Sequence, residues 1–192
     1  MKKKAVFLDR DGTINKDIGY PDSYKKIEIY PYSFEALQKI KKAGFLAVII
    51  TNQSGVGRGL IEESSLEDIH VKMRGAFSRY GISFDGIYHC PHYASSKNPN
   101  YSIQCNCRKP QPGMGKQAAA DLDIDTSHSY MIGDKVEDIL FGINIKATPI
   151  LVLTGFGQTS KEQLADKGIN PAHVAPNLLE AVEWIIEQEK KK

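Results

Sequence analysis

Five short, nearly uninterrupted apolar runs are the feature of this sequence that most limits its fold. They occupy residues 5–8, 45–50, 86–89, 130–132 and 149–153. Continuous rather than alternating apolar residues are typical of strands that are buried on both faces of a parallel sheet. The runs therefore predict such a sheet, provided that helices connect them.

Apolar residues at helical spacing lie between these runs. They form four stripes: Phe34, Leu37 and Ile40; Leu66, Ile69, Met73 and Phe77; Val136, Ile139 and Ile143; and Leu178, Val182 and Ile185. Core packing explains each stripe. Ser33 is the predicted N-cap of the first helix, and Ser65 with Asp68 the predicted capping box of the second. Strands that alternate with helices predict an α/β fold with a doubly wound, mostly parallel, Rossmann-like sheet.

Length and composition exclude several classes of protein. A chain of 192 residues suits a single domain over 1–192. The net charge of +2 gives no support for nucleic-acid binding. The first apolar run is too short for a secretory signal, and none approaches the roughly 20 residues that cross a bilayer. We expect a monomeric, cytoplasmic protein with no nucleic-acid or membrane partner.

Carboxylates follow two of the predicted strands. Asp9 and Asp11 come directly after the run 5–8, and Asp134 comes shortly after the run 130–132. In open α/β sheets ligands bind beyond the carboxyl ends of the strands, so these side chains are expected to share a site. Neighbouring carboxylates repel each other, and Mg²⁺ commonly binds through one or two carboxylates plus a substrate phosphate. The pattern predicts a magnesium-assisted phosphatase site.

Phosphate-ester hydrolysis needs this set of groups. The uncatalysed reaction is so slow that its barrier must fall by well over ~20 kcal/mol. One carboxylate can attack phosphorus, while a second protonates the leaving oxygen and later activates water. A cation and an ammonium group neutralise charge on the transferred phosphoryl group. An Asp-x-Asp pair alone also suits a solvated or calcium-binding turn, but the run 9–13 after an apolar strand is more specific.

Four ordered motifs resemble the haloacid dehalogenase superfamily of phosphatases. They are Asp9-Arg10-Asp11-Gly12-Thr13, Thr51-Asn52, Lys109 within Cys107-Arg108-Lys109-Pro110, and Gly133-Asp134-Lys135-Val136-Glu137-Asp138. The likeness covers about residues 5–155 and implies the haloacid dehalogenase fold. It further implies that Asp9 is the nucleophile, that Asp11 is the general acid/base, and that Thr51 and Lys109 hold the phosphoryl group. Mg²⁺ would be bound by Asp9, the backbone carbonyl of Asp11 and Asp134.

Three cysteines and a histidine form two close pairs in the least regular part of the chain. They are Cys90 with His92 and Cys105 with Cys107. A disulfide framework usually scatters an even number of cysteines along a secreted chain, whereas three Cys and one His make a closed structural zinc set. We predict a Zn²⁺-bound loop at 90–107, inserted in the phosphatase domain, that positions Arg108 and Lys109. Unrelated buried cysteines beside a surface histidine are the alternative.

Further segments resemble the heptose bisphosphate phosphatases of this superfamily: 17–20, 51–55 with 58–59, and 105–114. The resemblance implies a sugar-phosphate substrate bound by Asp17, Ile18, Gly19, Tyr20, Asn52, Gln53, Ser54, Arg108 and Lys135. Arg108 would read the second, unreacted phosphate, because a planar guanidinium suits that anion. Ile18 departs from the histidine that is frequent in the family. The spacing leaves no room for a large cap domain, so the loops 15–30 and 90–108 would set specificity.

Two other functions stay open. Histidinol-phosphate phosphatases share the aspartates and a similar Cys/His loop, but their substrate carries one phosphate and an imidazole, which match Arg108 poorly. A zinc module that binds nucleic acid or protein would explain the loop alone. Neither a basic helix nor an aromatic platform accompanies that loop, and the aspartate motifs would then have no purpose.

Overall fold

The computed structural model describes residues 2–191, and Met1 and Lys192 lie outside the described residues. Six strands form one sheet: β1 (Ala5–Leu8), β2 (Leu46–Asn52), β3 (Gly86–Cys90), β4 (Tyr130–Gly133), β5 (Thr148–Val152) and β6 (His173–Ala175). Their spatial order is β3-β2-β1-β4-β5-β6, and every pair is parallel. The order reverses between β1 and β4, and such a switch point is where α/β sheets bind ligands.

Helices cover both faces of the sheet, which confirms the doubly wound architecture. They are α1 (Tyr32–Lys42), α2 (Ser54–Gly57), α3 (Glu63–Ser78), α4 (Gly113–Leu122), α5 (Val136–Asn144), α6 (Gly157–Asp166) and α7 (Leu178–Glu189). Helices α1, α7 and the second half of α3 pack on one face, and α4 and α5 pack on the other. Helix α6 packs beside α5. Among the described residues, none of the helices has both the length and the apolar character needed to traverse a bilayer.

The central strand shows why the apolar runs are continuous. All of β1 is buried. Val6 and Leu8 belong to the core beneath α1 and α7, whereas Ala5 and Phe7 belong to the core beneath α4 and α5. Because successive strand residues point to opposite faces, a strand covered on both sides needs apolar residues at every position.

Strand β6 and helices α2, α4 and α6 are not among the predicted elements, and α2 spans only Ser54–Gly57. Strand β6 has only three residues and lies at the edge of the sheet. Helix α6 buries only Gly157, Ser160 and Leu164, and α4 buries only Met114, Gly115 and Ala118. Such short or weakly apolar segments carry no clear periodic signal.

Both predicted helix starts are wrong. Helix α1 begins at Tyr32, so Ser33 lies inside its first turn, where its hydroxyl donates to the Ile14 carbonyl oxygen at 2.8 Å. Helix α3 begins at Glu63, so Ser65 is an internal residue, and Asp68 pairs with Lys72 instead. In both helices a residue type that favours N-caps makes a different contact: Ser33 donates to a distant carbonyl oxygen, and Asp68 pairs with a lysine one turn further along. Ile143, which was predicted to be core, is 46% exposed.

Two long connections begin at the carboxyl ends of β1 and β3. They comprise residues 9–31 and 91–112. Within these described segments the only helix is a 3₁₀ turn at Tyr24–Lys26, and no strand is present. Both connections contribute to the walls of one cleft above the sheet.

Candidate active site

A cleft of about 1020 Å³ lies at the carboxyl edge of the sheet. Its walls include Asp9 after β1, Thr51 at the end of β2, and Lys135 and Asp138 after β4. The two long connections add residues from 11–20 and 92–111. The strand ends therefore bring together residues that lie far apart in the sequence.

Three buried aspartates form a carboxylate cluster: Asp9 and Asp138, which line this cleft, and Asp134, which is buried beside them. One oxygen from each lies within 4.8 Å of the others. Leu8 of β1 pairs with Ile132 of β4, so the residues that follow these strands lie side by side. Gly12 makes the approach possible, since it has a φ of 89° and a Cβ there would lie 2.2 Å from an Asp134 oxygen.

The carboxylate cluster fits a magnesium ion. Asp134 Oδ2 accepts the backbone N–H of Phe156 at 2.8 Å, but Asp134 Oδ1 is buried without a hydrogen-bond partner. Burial, together with the charges of Asp9 and Asp138, raises the pKa of Asp134 to about 8. Burial also raises the pKa of Asp9 to about 6, against the charge of Lys109. A hard divalent cation would supply the missing partner and relieve the repulsion.

Lys109 is buried beside the predicted nucleophile. Its Nζ lies 2.8 Å from Asp9 Oδ1, 2.6 Å from Asp138 Oδ1 and 2.8 Å from the Ile50 carbonyl oxygen. Although burial acts to lower the pKa of Lys109, the charges of Asp138 and Asp9 raise it. The ammonium therefore stays charged where a transferred phosphoryl group would need a cation.

Asp138 and Asn52 hold this lysine in place. Asp138 Oδ2 accepts the backbone N–H of Lys135 at 3.0 Å, so the same carboxylate caps α5 and binds Lys109. Asn52, predicted to bind substrate, donates to the Lys109 carbonyl oxygen at 3.2 Å and accepts the Lys109 N–H at 3.0 Å. Asp138 is a site residue that the predicted set left out, although it stands in the fourth motif.

Asp11 lies in the same cleft, within a dense hydrogen-bond network. Its carboxylate accepts from the Arg10 guanidinium, from Asn15 at 2.9 Å and from Gln53 at 2.9 Å. Gln53 also donates to Thr51 Oγ1 at 2.8 Å. Burial acts to raise the pKa of Asp11, but the charge and hydrogen bonds of Arg10 hold it below its usual value. The structure thus gives Gln53, predicted to bind substrate, the task of linking Asp11 to Thr51.

The other predicted substrate residues lie around the mouth of the cleft. Lys135 Nζ pairs with Asp17 Oδ2 at 2.8 Å, and Asp17 Oδ1 accepts the Gly19 N–H at 2.9 Å. Lining the cleft are Asp17, Gly19, Tyr20, Asn52, Gln53, Ser54, Arg108 and Lys135. Ile18 is 46% exposed and lies outside the lining. Arg108 donates to the His92 carbonyl oxygen at 3.3 Å, which ties it to the second long connection.

The Cys/His cluster adjoins the cleft and comprises Cys90, His92, Cys105 and Cys107. Their ligand atoms all lie within 4.8 Å of one another, and all three cysteines are free thiols. Cys90 Sγ lies 3.2 Å from Cys107 Sγ and 3.6 Å from Cys105 Sγ, and His92 Nδ1 lies 3.1 Å from Cys107 Sγ. A zinc–sulfur bond of about 2.3 Å gives tetrahedral edges of roughly 3.8 Å, so the donor set and its size suit one zinc ion.

Comparison with known proteins decides the family. The HAD-hydrolase-like family model matches residues 106–181. The D-glycero-β-D-manno-heptose-1,7-bisphosphate 7-phosphatase of Pasteurella multocida is 46% identical over 154 residues, which cover 80% of this chain and 83% of that protein. The enzyme of the same name from Haemophilus ducreyi is 42% identical, over 88% of this chain and 94% of that protein. This chain belongs to the HAD-like heptose bisphosphate phosphatases.

A solved structure of this phosphatase family supports the assignment. The D,D-heptose 1,7-bisphosphate phosphatase of B. bronchiseptica was crystallised with magnesium and phosphate. It superposes with a TM-score of 0.84 at 32% identity, covering 96% of this chain and 99% of that one. The predicted haloacid dehalogenase fold is therefore confirmed.

Proposed function

We propose that this chain hydrolyses the 7-phosphate of D-glycero-β-D-manno-heptose 1,7-bisphosphate and leaves the 1-phosphate in place. The relatives that match most of its length carry that name. The observation that carries the chemistry is the position of Asp9, whose Oδ1 lies 2.8 Å from the buried Lys109 ammonium. A carboxylate beside a fixed cation, at the bottom of a cleft, is placed to attack a phosphorus atom.

The first half of the reaction transfers the phosphoryl group to Asp9. One oxygen of Asp9 attacks phosphorus, a bond forms between them, and the bond from phosphorus to the sugar O7 breaks. Arg10 keeps Asp11 ionised in the free enzyme, so Asp11 first takes the proton of the bound phosphate monoanion and passes it to O7 as O7 leaves. Lys109 and the Thr51 hydroxyl hold the oxygens of the group in transfer. Asp138 keeps Lys109 at this position through its 2.6 Å contact.

The second half releases inorganic phosphate. Asp11, now a carboxylate, takes a proton from water, and the water oxygen attacks the phosphorus of the aspartyl phosphate. The bond between Asp9 and phosphorus breaks, and the Asp9 carboxylate returns. Magnesium, when bound by Asp9, Asp134 and the Asp11 carbonyl, supplies positive charge that offsets the charge on the phosphoryl group.

Arg108 and the residues 17–20 select the substrate. Arg108 lies on the cleft wall, one residue before the lysine that serves the reacting phosphate. Its guanidinium can bind the 1-phosphate in a bidentate manner, which favours a bisphosphate over a monophosphate. Lys135 and Asp17 pair across the cleft at 2.8 Å and hold the first long connection close to the sugar.

Zinc is the proposed ligand of the Cys/His cluster, where it would fix the second long connection and thereby Arg108 and Lys109. Three free thiols in one closed set suit a reducing compartment, which supports the cytoplasm as the place of the reaction. We further propose that a monomer is sufficient, because Asp9, Asp11, Thr51 and Lys109 all line the same cleft within one chain.

Phosphate release from four substrates tests this function. The two anomers of heptose 1,7-bisphosphate, heptose 1-phosphate and histidinol phosphate are compared with magnesium present. We expect the β anomer to have the highest kcat/KM, heptose 1-phosphate to be stable, and phosphorus NMR to show that the 1-phosphate remains. Faster turnover of histidinol phosphate would instead assign the chain to that reaction.

A further inference from the structure

Arg10 is the largest fully buried side chain in the described part of the protein. A buried charge is costly unless each of its polar atoms is paired. The guanidinium Nε lies 3.1 Å from Asp11 Oδ1, and Nη2 lies 2.7 Å from Asp11 Oδ2. This two-pronged contact fixes both the position and the rotation of the carboxylate plane. Asp11 is the proposed general acid/base, so Arg10 acts directly on a group that must be aimed at the reacting oxygen.

The Asp11 carboxylate has four side-chain donors. Oδ1 accepts from Arg10 and from Asn15, and Oδ2 accepts from Arg10 and from Gln53. A carboxylate offers about four acceptor positions, so these donors fix its orientation. A proton on Asp11 takes the position of one amide donor, Asn15 or Gln53, while the two contacts with Arg10 are kept. Asn15 and Gln53 are themselves fixed, through the Lys16 carbonyl oxygen and Thr51 respectively.

His70 completes the support from the other side of the guanidinium. It lies on α3, is 8% exposed, and places Nε2 3.3 Å from Arg10 Nη1. Because a guanidinium only donates, Nε2 must accept, and the ring proton belongs on Nδ1. Burial and the Arg10 charge lower the pKa of His70 to about 3, so the ring is neutral and its Nε2 lone pair is available. A positively charged imidazolium at this position would repel Arg10.

We propose that Arg10 and His70 are positioning residues for the reaction: His70 fixes the Arg10 guanidinium, and Arg10 aims the Asp11 carboxyl group at the leaving oxygen. The inference rests on the proposed function. A purely structural role would lower activity on every substrate alike. A misplaced general acid instead slows only those substrates whose leaving group must be protonated. Misplacement of a catalytic group by about 1 Å can lower the rate roughly 10²-fold.

The test compares an alkyl with an aryl phosphate ester. Heptose 1,7-bisphosphate and fructose 1,6-bisphosphate have poor leaving groups that need a proton, whereas p-nitrophenyl phosphate does not. In His70→Leu we expect kcat/KM for the alkyl esters to fall about 10-fold further than for the aryl ester, because general acid catalysis is worth 10²–10⁴-fold. His70→Gln keeps an acceptor for Arg10. It is expected to restore the ratio of kcat/KM for the alkyl esters to kcat/KM for the aryl ester to within about 3-fold of the wild type.

Two further variants make the result decisive. His128→Leu removes an exposed histidine at the opposite edge of the sheet and is expected to leave the ratio unchanged. Arg10→Lys keeps the buried charge but loses the two-pronged contact, so it is expected to lower the ratio even if His70→Leu does not fold. Equal losses on both ester classes in a folded His70 or Arg10 variant would overturn the positioning role. Wild-type enzyme that cleaves the fructose and aryl esters but not the heptose ester would overturn only the proposed substrate.

Discussion

The two groups of potential metal ligands in this protein are assembled in opposite ways. The carboxylate cluster joins residues from the ends of β1 and β4 that are more than a hundred positions apart in the chain. The Cys/His cluster joins Cys90, the last residue of β3, to three residues of the connection that follows it. The first exists only because two parallel strands pair, whereas the second can bring order to a segment that has no helix or strand of its own.

The difference assigns separate tasks to the two clusters. All three members of the carboxylate cluster are buried, and their negative charges repel one another, so they weaken the metal-free fold. Their proposed task is in the reaction. The Cys/His cluster lies directly before Arg108 and Lys109 and is proposed to help position them. A substitution in the carboxylate cluster is expected to stop the reaction without lowering the stability of the protein. A substitution in the Cys/His cluster is expected to lower the stability and leave most of the intrinsic activity.

The largest expected effect comes from Asp9→Asn. The amide keeps the size of the side chain but cannot attack phosphorus, so kcat is expected to fall by at least about 10⁴-fold. The thermal midpoint is expected to change by no more than a few degrees, because Lys109 keeps its partner Asp138. Phosphate release and thermal denaturation measure the two effects. A variant that retained even a tenth of the activity would remove Asp9 from its role.

Cys105→Ser is expected to do the opposite: it should lower the stability strongly and the activity little. Loss of one ligand from a closed site should remove most of the zinc. A loss of about 3 kcal/mol in the free energy of unfolding then lowers the thermal midpoint of a domain of this size by roughly 6–12 °C. The kcat of the folded fraction should fall by less than about 10-fold. Elemental analysis, calorimetry and assays at low temperature separate these quantities. An unchanged midpoint, or wild-type protein without zinc, would contradict the structural role of the cluster.

Arg108→Ala tests whether the arginine that follows the Cys/His cluster contributes to substrate specificity. The guanidinium is proposed to bind the unreacted phosphate, so kcat/KM for the bisphosphate should fall about 10–100-fold, with p-nitrophenyl phosphate affected much less. Arg79→Ala, at the exposed end of α3, is the matched control for loss of an arginine. Equal losses on both substrates would show that Arg108 does not read the second phosphate.

The smallest expected effect is on stability in buffer without magnesium. Burial raises the pKa of Asp134 to about 8 and that of Asp9 to about 6, both above the ordinary 3.8. The unfolded chain releases these protons at a lower pH than the folded chain does. The stability that these two groups contribute is therefore full below about pH 4 and is lost as the pH rises to about 8.

Asp134→Asn provides the control for that pH dependence. In the wild type the thermal midpoint is expected to fall by a few degrees more between pH 5 and pH 8 than in this variant, and magnesium should reverse the fall most strongly at pH 8. Identical slopes in the two proteins would show that Asp134 is not held in a repulsive carboxylate cluster.

The sequence predicts the scaffold and the approach of Asp9 to Asp134 well. Continuous apolar runs mark strands that are buried on both faces, and polar residues at their carboxyl ends must meet at one edge. The Cys/His cluster is predictable for another reason, because all its ligands lie within one short segment. Strand β6 and helix α6 escape prediction because an edge strand of three residues and a helix with one large buried apolar residue have almost no pattern to detect.

Contacts between side chains of distant elements cannot be predicted from the sequence pattern. Arg10 reads as part of a charged run, and nothing in the pattern shows that His70, sixty positions away, accepts from it. Asp138 stands in a recognised motif, but its contact with Lys109 depends on where α5 begins. Gln53 and Asn52 were predicted to touch substrate, and only the tertiary arrangement shows that they bind Asp11 and the Lys109 backbone.

Direct capture of the covalent intermediate tests the central claim. Enzyme mixed with heptose 1,7-bisphosphate and magnesium is quenched in acid within milliseconds and reduced with borohydride, which converts an aspartyl phosphate into an alcohol. Peptide mass spectrometry is then expected to locate the reduced side chain at residue 9, and the Asp9→Asn variant should give none. Reduction at another residue, or a burst of free phosphate with no modified peptide, would contradict the account.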